Sequence, residues 1–283
     1  MRVIKRKKGN QEYFYLQHSY KKKNKVITRE KYLGKNLPDN IDEIKESLLK
    51  ESKKELNLKL EKIKDIFQKE WLRIPPSAKQ RELEEIAISF TYNTNAIEGS
   101  TITLEETREI IKDEITPRKP LRDVKETESH NRLFLKMLDK KTKLSKKLIL
   151  SWHKEIFRET KEDIAGKLRD YLVRVGPYLA IDWQEIEKEI IKLVRFINTS
   201  KLNPVELSAR AHYRFEKIHP FGDGNGRIGR LLMNQILWRR GHPMLIIEYA
   251  KRRSYYKALT KDEDSFVNYF LRRYLAVHKK RLI

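Results

Sequence analysis

His219-Pro220-Phe221-Gly222-Asp223-Gly224-Asn225-Gly226-Arg227-Ile228-Gly229-Arg230 is the stretch on which the reading of this chain turns. It brings one imidazole, one carboxylate, closely spaced glycines and two arginines into a single turn region. Helical patterns flank it: Ala209, Tyr213 and Lys217 before, and Leu231, Leu232, Gln235, Ile236 and Trp238 after. The spacing therefore predicts a glycine loop that opens a helix. Such a loop aims backbone N–H groups from the positive end of a helix, a ready anion site. Arg227 and Arg230 lie three apart on that helix, so both can face the same anion. Asp223 can hold Mg²⁺ through oxygen. His219 titrates near neutral pH and can take a proton from an alcohol. Base, metal ligand, phosphate cradle and two cations are what phosphate-ester chemistry on a nucleotide needs. A plainer reading makes the glycines a simple turn and His219 a helix cap; the number of positions that agree at once weighs against it.

The stretch resembles the signature of the Fic (Fido) family, H-x-F-x-[DE]-G-N-G-R-x-x-R, and matches every fixed position. The resemblance implies an all-α domain with a β-hairpin flap that transfers AMP from ATP to a Ser, Thr or Tyr hydroxyl of a target protein. By the same resemblance His219 is the general base and Asp223 holds Mg²⁺ or Mn²⁺. Gly224, Asn225 and Gly226 offer N–H groups, with Arg227, to the α- and β-phosphates, Arg230 serves the terminal phosphate, and Phe221 anchors the loop. The likeness spans about residues 77–265.

Three other segments take on meaning beside it. Thr94-Asn95-Ala96-Ile97-Glu98-Gly99 is similar to the family's inhibitory motif [ST]-x-x-x-E-[GN], which implies that Glu98 pairs with Arg230. A carboxylate held bidentately on that arginine removes the cation meant for the terminal phosphate. An exposed helix-end charge with Gly99 as C-cap is the plainer reading. In Gly166–Tyr178, Arg174 between Val173 and Val175, bracketed by glycines, suggests a β-hairpin. It resembles the flap that docks the target segment, here through Val173, Val175, Gly176 and Tyr178. Arg252–Leu259 resembles the post-motif segment where a tyrosine packs near the nucleobase. That points to Tyr256, then Tyr255, against a core role for both. Some members place an Asn seven residues beyond the tyrosine; Glu263 stands there in this chain.

The chain has 283 residues, 39% of them hydrophobic, enough for one sizeable core and an appendage. It has no cysteine, which excludes disulfides and thiolate metal sites. Neither a membrane-spanning run nor a secretory leader is legible, so a cytoplasmic protein without membrane attachment is expected. Net charge is +23, and residues 1–35 carry twelve Lys/Arg against two Glu. Such a segment attracts nucleic acid or acidic partners, or is a solvated surface.

Residues 1–36 read as a small antiparallel meander, with strands near Tyr13–Leu16, Lys25–Thr28 and Tyr32–Gly34 and turns near Lys7–Asn10 and Lys22–Asn24. Tyr13, Tyr15 and Tyr20 among lysines either stack bases or fill one face of a minimal sheet. A linker and long helix follow over 37–75, with Ile41, Ile44, Leu48, Leu56, Leu60, Ile63 and Phe67 recurring at helical steps; it braces one chain or pairs two. Residues 76–283 form the main helical domain. Its helices are expected at about 77–97, from a Thr103/Glu106 capping box to 115, at 121–138, from Ser145, at 183–197, from Asn203-Pro204, after the signature, and at 265–279. The expected activity is AMP transfer held off by Glu98, with self-modification as one outcome. Removal of AMP from a modified protein at the same site, and nucleic-acid binding through residues 1–36, are the alternatives.

Overall fold

The computed structural model describes the backbone of all residues except Met1, Asn10, Lys23, Asn24, Asp39, Lys140, Lys141 and Pro177. Side chains are described except at those positions and at 18–22, 25–27, 29, 42, 46–52 and 139. The side-chain expectations for Tyr20 and Leu48 lie outside the described residues. The chain divides into two units, Met1–Lys59 and Leu60–Ile283.

The first unit opens with three antiparallel strands in the order β1 (Arg2–Lys8), β2 (Gln11–Lys22) and β3 (Lys25–Gly34). The strands are longer than the apolar runs suggested, because the alternation of lysines with β-formers continues the ladder outward. Arg2 pairs with Gln17 and Lys8 with Gln11, and Lys22 pairs with Lys25 at the second turn. Tyr13, Tyr15 and Tyr32 share a face, their centroids 6.2 and 5.3 Å from the Tyr32 ring. Leu16 points the other way and is fully buried. After the meander, α1 (Ile41–Arg73) begins.

The division between the units falls inside α1. In the second unit Leu60 and Ile63 of that helix are fully buried, and Phe67 and Trp71 meet Trp238 at 6.1 and 5.5 Å. Among the described residues nine further α-helices follow: α2 (Pro76–Ile97), α3 (Leu104–Arg108), α4 (Leu121–Asp139), α5 (Lys146–Phe157), α6 (Ile186–Thr199), α7 (Pro204–Ile218), α8 (Asn225–Arg239), α9 (Arg252–Leu259) and α10 (Glu263–Val277). The protein is thus mostly helical, with small antiparallel sheets. The predicted capping box is formed: the Glu106 N–H donates to Thr103 Oγ1 and the Thr103 N–H to Glu106 Oε2. The helix it opens is α only to Arg108; Glu109–Asp113 continues as a π turn and ends at Glu114 with φ +54°.

The expected hairpin forms but is short: only Arg174–Val175 (β4) and Tyr178–Leu179 (β5) pair, with Arg174 opposite Leu179 and Val175 opposite Tyr178, while Leu172 and Val173 lie outside the strands. The β-branched run is short, and Gly176 at φ +54° turns the chain two residues after the first strand begins. The 183–197 helix starts as a 3₁₀ turn, Trp183–Glu185, capped by Asp182, before α6 proper.

One apolar core joins α2, α4, α5, α6, α7 and α8. Phe90, Phe134, Phe157, Phe215, Phe221 and Leu231 sit within it at 0–1% exposure. α8 runs through its middle and is buried from Arg227 to Leu237. A helix buried on all sides must begin in a buried loop, so the glycine stretch before it needs internal partners for its polar groups.

Candidate active site

The site is built at the junction of α7 and α8. His219 caps α7 in the left-handed region at φ +49°, and its N–H donates to Phe215 O. That conformation, rare for a residue with a Cβ, swings the chain out of the helix. Gly224 takes φ +76° at the entry to α8, with the Phe157 ring lying where a side chain would project. Only glycine meets both demands. Between these bends Phe221 plugs into the core, as its motif position implied.

Three side chains satisfy the loop's buried polar groups. Asn225 does it from within: Oδ1 accepts from the Phe221 N–H at 2.9 Å and Nδ2 donates to Phe221 O at 2.8 Å. Its amide is therefore a brace for the loop, while its backbone N–H stays at the head of α8. His153 of α5 stacks on Phe221 at 3.9 Å. Its Nδ1 accepts from the Gly166 N–H at 2.9 Å, which leaves Nε2–H to donate to Asp223 O at 3.0 Å. Burial pushes this imidazole down to about 4, consistent with that neutral tautomer. Arg169, 4% exposed, donates from Nε to His219 O at 2.8 Å, from Nη1 to Tyr171 O at 2.5 Å and from Nη2 to Ile181 O at 2.6 Å. It ties the α7 cap to both sides of the hairpin.

The side chain of His219 is partly buried, and its Nδ1 lies 3.4 Å from Glu216 O. Burial holds its pKa below the ordinary imidazole value, against the pull of that backbone contact. The ring is thus mostly neutral near pH 7, as a proton acceptor must be.

Beside the head of α8 lies a cavity of about 210 Å³, lined by Asn95, Glu98, Gly99, Ser100, Arg122, Asp123, Glu126, Lys161, Asp223 and Arg227. Four of its seven charged lining residues form one connected ion-pair network. Glu126 of α4, 5% exposed, takes Arg227 Nη1 on Oε2 at 2.5 Å and Lys161 Nζ on Oε1 at 3.0 Å. Lys161 also meets Asp223 Oδ2 at 2.6 Å. Burial would raise the Asp223 carboxyl, but the Lys161 hydrogen bond and the Arg227 charge outweigh it and hold the group ionised. Glu126 is likewise kept below its usual range: burial opposes, and Arg227 and Lys161 prevail.

Behind this wall Glu98 Oε1 meets Arg230 Nη2 at 2.6 Å. The pair is single-pronged rather than bidentate: Nη1 has no hydrogen-bond partner among the described residues, while Nε donates to Thr94 Oγ1 at 2.5 Å and Nη2 also to Thr94 O at 3.2 Å. Arg230 is 1% exposed; burial weakens its charge, but Glu98 outweighs it and keeps it fully cationic. Gly99 closes α2 at φ +95° and lets the chain leave beside Glu98. A methyl on Gly226 would run into Glu98 Oε1, so the absence of a side chain there is what lets the carboxylate in. Arg227 and Arg230, expected to face one anion, are held by two different carboxylates.

The other expected residues fall differently. Tyr255 is 1% exposed, and its hydroxyl lies 2.7 Å from His212 Nε2, which places it in the core. Tyr256 is 43% exposed and donates to Ile97 O at 3.1 Å, alongside the end of α2. Glu263 accepts from Arg210 and Arg214 in a separate ion-pair cluster. Val173, Val175 and Gly176 lie in or beside the short hairpin, and the Tyr178 hydroxyl donates to Glu216 O at 3.1 Å. Sequence reasoning missed Glu126, His153, Lys161 and Arg169. A glutamate and a histidine on otherwise inward helix faces were the available signals for the first two. Nothing marks Lys161 or Arg169 among 63 basic residues.

The donor set suits a magnesium-type ion of one kind only. Among the described residues no three His, Cys, Asp or Glu side chains gather to cage a metal. Asp223 offers a single carboxylate, half exposed, on the wall of the cavity. One carboxylate completed by water and substrate oxygens is a common Mg²⁺ arrangement, so the residues fit an ion shared with a phosphate ligand. No helix among the described residues is long and apolar enough to cross a membrane.

Residues 143–237 match the Fic/DOC family. The chain is 32% identical over 216 residues to protein adenylyltransferase fic-1 of Caenorhabditis briggsae, covering 73% of this chain and 42% of that protein. It is 30% identical to protein adenylyltransferase Fic of Nematostella vectensis, covering 68% and 47%. This chain therefore spans less than half the length of these curated relatives. Among solved structures, Fic-1 (residues 134–508) of C. elegans superposes with a TM-score of 0.69 at 27% identity, covering 83% of this chain and 73% of that one. A Fic domain containing signalling protein of Bacteroides thetaiotaomicron superposes with a TM-score of 0.68 at 25% identity, covering 80% and 96%. Motif, fold and relatives agree that this chain carries a Fic/DOC family domain.

Proposed function

We propose that this chain is a protein adenylyltransferase, moving AMP from ATP to a Ser, Thr or Tyr hydroxyl of a target protein, with Glu98 holding the site off. One observation carries the reading. Arg227, in the first turn of α8, and Asp223 line the same cavity as Glu98, and a predominantly neutral His219 stands four residues before Asp223 in the turn that leads to them. Phosphates would meet the Gly224–Gly226 N–H groups and Arg227. Tyr256, partly exposed beside the end of α2, is the better candidate for the nucleobase, and the buried Tyr255 is its support. Asp223 would hold Mg²⁺ or Mn²⁺, which when bound neutralises phosphate charge and eases departure of pyrophosphate.

The protein's own part is proton transfer, positioning and charge. His219 takes the proton of the incoming hydroxyl. Its oxygen bonds to the α-phosphorus, the Pα–O–Pβ bond breaks, and pyrophosphate leaves with the electron pair. The α8 N-terminus and Arg227 stabilise the charge that develops. The exposed backbone of β4 and β5 would dock the target segment strand to strand. Glu98 on Arg230 denies the terminal phosphate its cation and adds negative charge where that phosphate would lie.

Mass spectrometry of Glu98→Gly protein with mixed NTPs and Mg²⁺ tests this. The expected result is an added AMP mass on the protein or a supplied target, absent in a Glu98→Gly/His219→Ala double variant. Equal labelling of the wild type and Glu98→Gly would sink the inhibitory role. A second reading has one observation in its favour: Glu98 is partly exposed and lines the cavity, so it could orient water to remove AMP. Metal-dependent release of AMP from a labelled protein, lost in Glu98→Gly, would select it. For the first unit, the contacts of Tyr13 and Tyr15 with Tyr32 and of Arg6 with the Tyr15 ring fit rings that fill one face of the small sheet, and nucleic-acid binding through this basic segment is kept as a separate proposal. Salt-sensitive binding of an oligonucleotide, weakened by Tyr15→Ala and Tyr32→Ala, would establish it.

A further inference from the structure

We propose that Lys161 is a resident cation of this site: in the nucleotide-free protein it holds Asp223 in place of a divalent ion, and it yields that carboxylate when metal arrives with a phosphate ligand. The inference rests on the reading of Asp223 as the metal carboxylate.

Lys161 lies outside the glycine motif, in the segment after α5. Its ammonium is 2.6 Å from Asp223 Oδ2 and 3.0 Å from Glu126 Oε1, and 4.8 Å from the centre of the Phe157 ring. Its side chain is only 21% exposed. Two carboxylates and a ring face thus define one cation locus, and the occupant is covalently part of the chain. The two ends of the bridge differ. Glu126 is 7% exposed in its side chain and is fixed by Arg227 on its other oxygen, with Thr160 Oγ1 donating to Oε1 at 3.0 Å. Asp223 is 46% exposed in its side chain. Glu126 is the permanent anchor and Asp223 the releasable partner.

Charge counting gives the direction. Around the cavity Asp223 and Glu126 are balanced by Lys161 and Arg227, Asp123 by Arg122 and Glu98 by Arg230, so the charges sum to zero. A dication entering alone would meet Lys161 and leave the wall with two uncompensated positive charges in a partly buried place. Entering with a polyphosphate, it brings its own counter-charge. Lys161 can then fall back on Glu126 without leaving the cavity, where its ammonium faces the phosphates. The lysine therefore makes metal binding conditional on nucleotide and supplies monovalent charge to the phosphates when metal is scarce.

The experiment is Mn²⁺ titration of the nucleotide-free protein followed by electron paramagnetic resonance, on wild type, Lys161→Met, Lys161→Gln, Asp223→Asn and the Lys161→Met/Asp223→Asn pair. Thermal melts accompany it to verify that each is folded. Both Lys161 variants are expected to bind Mn²⁺ at least about tenfold tighter than wild type, the scale of removing one repelling charge from a partly buried site. The gain should vanish in the double variant. A parallel ADP titration in EDTA should show weaker binding by Lys161→Met than by wild type. Equal Mn²⁺ affinity in wild type and both Lys161 variants overturns the proposal, as does a gain that survives Asp223→Asn. Because the Mn²⁺ arm uses no nucleotide, its failure leaves AMP transfer standing. Conversely, a tenfold gain with no labelling by Glu98→Gly would sink the transferase reading alone.

Discussion

Replacing Glu98 by alanine should lower stability in the free protein and raise affinity for ATP, and both effects follow from one contact. Alanine keeps the backbone at the end of α2, where Glu98 sits at φ −85°. The bond lost is a charge-assisted hydrogen bond of 2.6 Å onto an arginine that is 1% exposed. Hydrogen bonds to charged groups contribute about 1.5–3 kcal/mol. Arg230 keeps both Thr94 contacts, so the guanidinium stays in place rather than collapsing. For a unit of this size the loss corresponds to a fall of roughly 3–12 °C in melting temperature. A terminal phosphate that takes over the vacated edge regains the same bond, which is about 10- to 150-fold in affinity. Differential scanning fluorimetry with and without ATP, alongside calorimetric titration of ATP and ADP, reads both signs. The gain should be confined to ATP, because on the proposed placement only a terminal phosphate would reach Arg230. An unchanged melting temperature in the free protein, or equal gains for ATP and ADP, would refute the argument.

Three further outcomes are expected. Arg169→Lys removes a fork that donates to the carbonyls of His219, Tyr171 and Ile181; a single ammonium cannot reach all three, so urea denaturation should show a loss of about 3 kcal/mol or more, with AMP transfer reduced further than folding explains. His153, His242 and His278 are pushed down by burial to about 4 and His212 to about 3. The unfolded chain binds these protons near pH 6.5, so stability should fall as pH drops from about 6.5 toward 4. Glu216 acts in the opposite sense: burial raises it to about 7, and its contribution is full below about pH 4.5 and lost as pH rises through 7. Four imidazoles outweigh one carboxyl, and urea midpoints at pH 7.5 and 5 should differ in the direction of acid lability. The acid limb of kcat/KM should lie below the ordinary imidazole value, since burial lowers His219; a limb at or above pH 6.5 would contradict that assignment.

Much of this was legible in residue order. The 3.6-residue patterns placed the helices to within a few residues, and the Thr103/Glu106 box and the Ser145 and Asn203 caps formed their local hydrogen bonds. Local chemistry of this kind depends on neighbours in sequence, and sequence displays it. The hairpin was harder, because two-residue strands leave almost no period to detect. Tyr255 and Tyr256 look alike in the sequence, yet one is buried against His212 and the other faces the end of α2.

What the sequence determined by itself is the chemistry available at the turn between α7 and α8: an imidazole, a carboxylate, a glycine-lined helix start and two arginines at fixed spacing. Only the tertiary structure decided how those charges are spent. It brought Glu98 across 132 positions to Arg230, Glu126 across 101 to Arg227, and Lys161 across 62 to Asp223. Ion pairing acts through space and ignores chain order. Among 63 basic and 40 acidic side chains, the packing of α2, α4 and α8 alone determines which charges lose their water and must find one another.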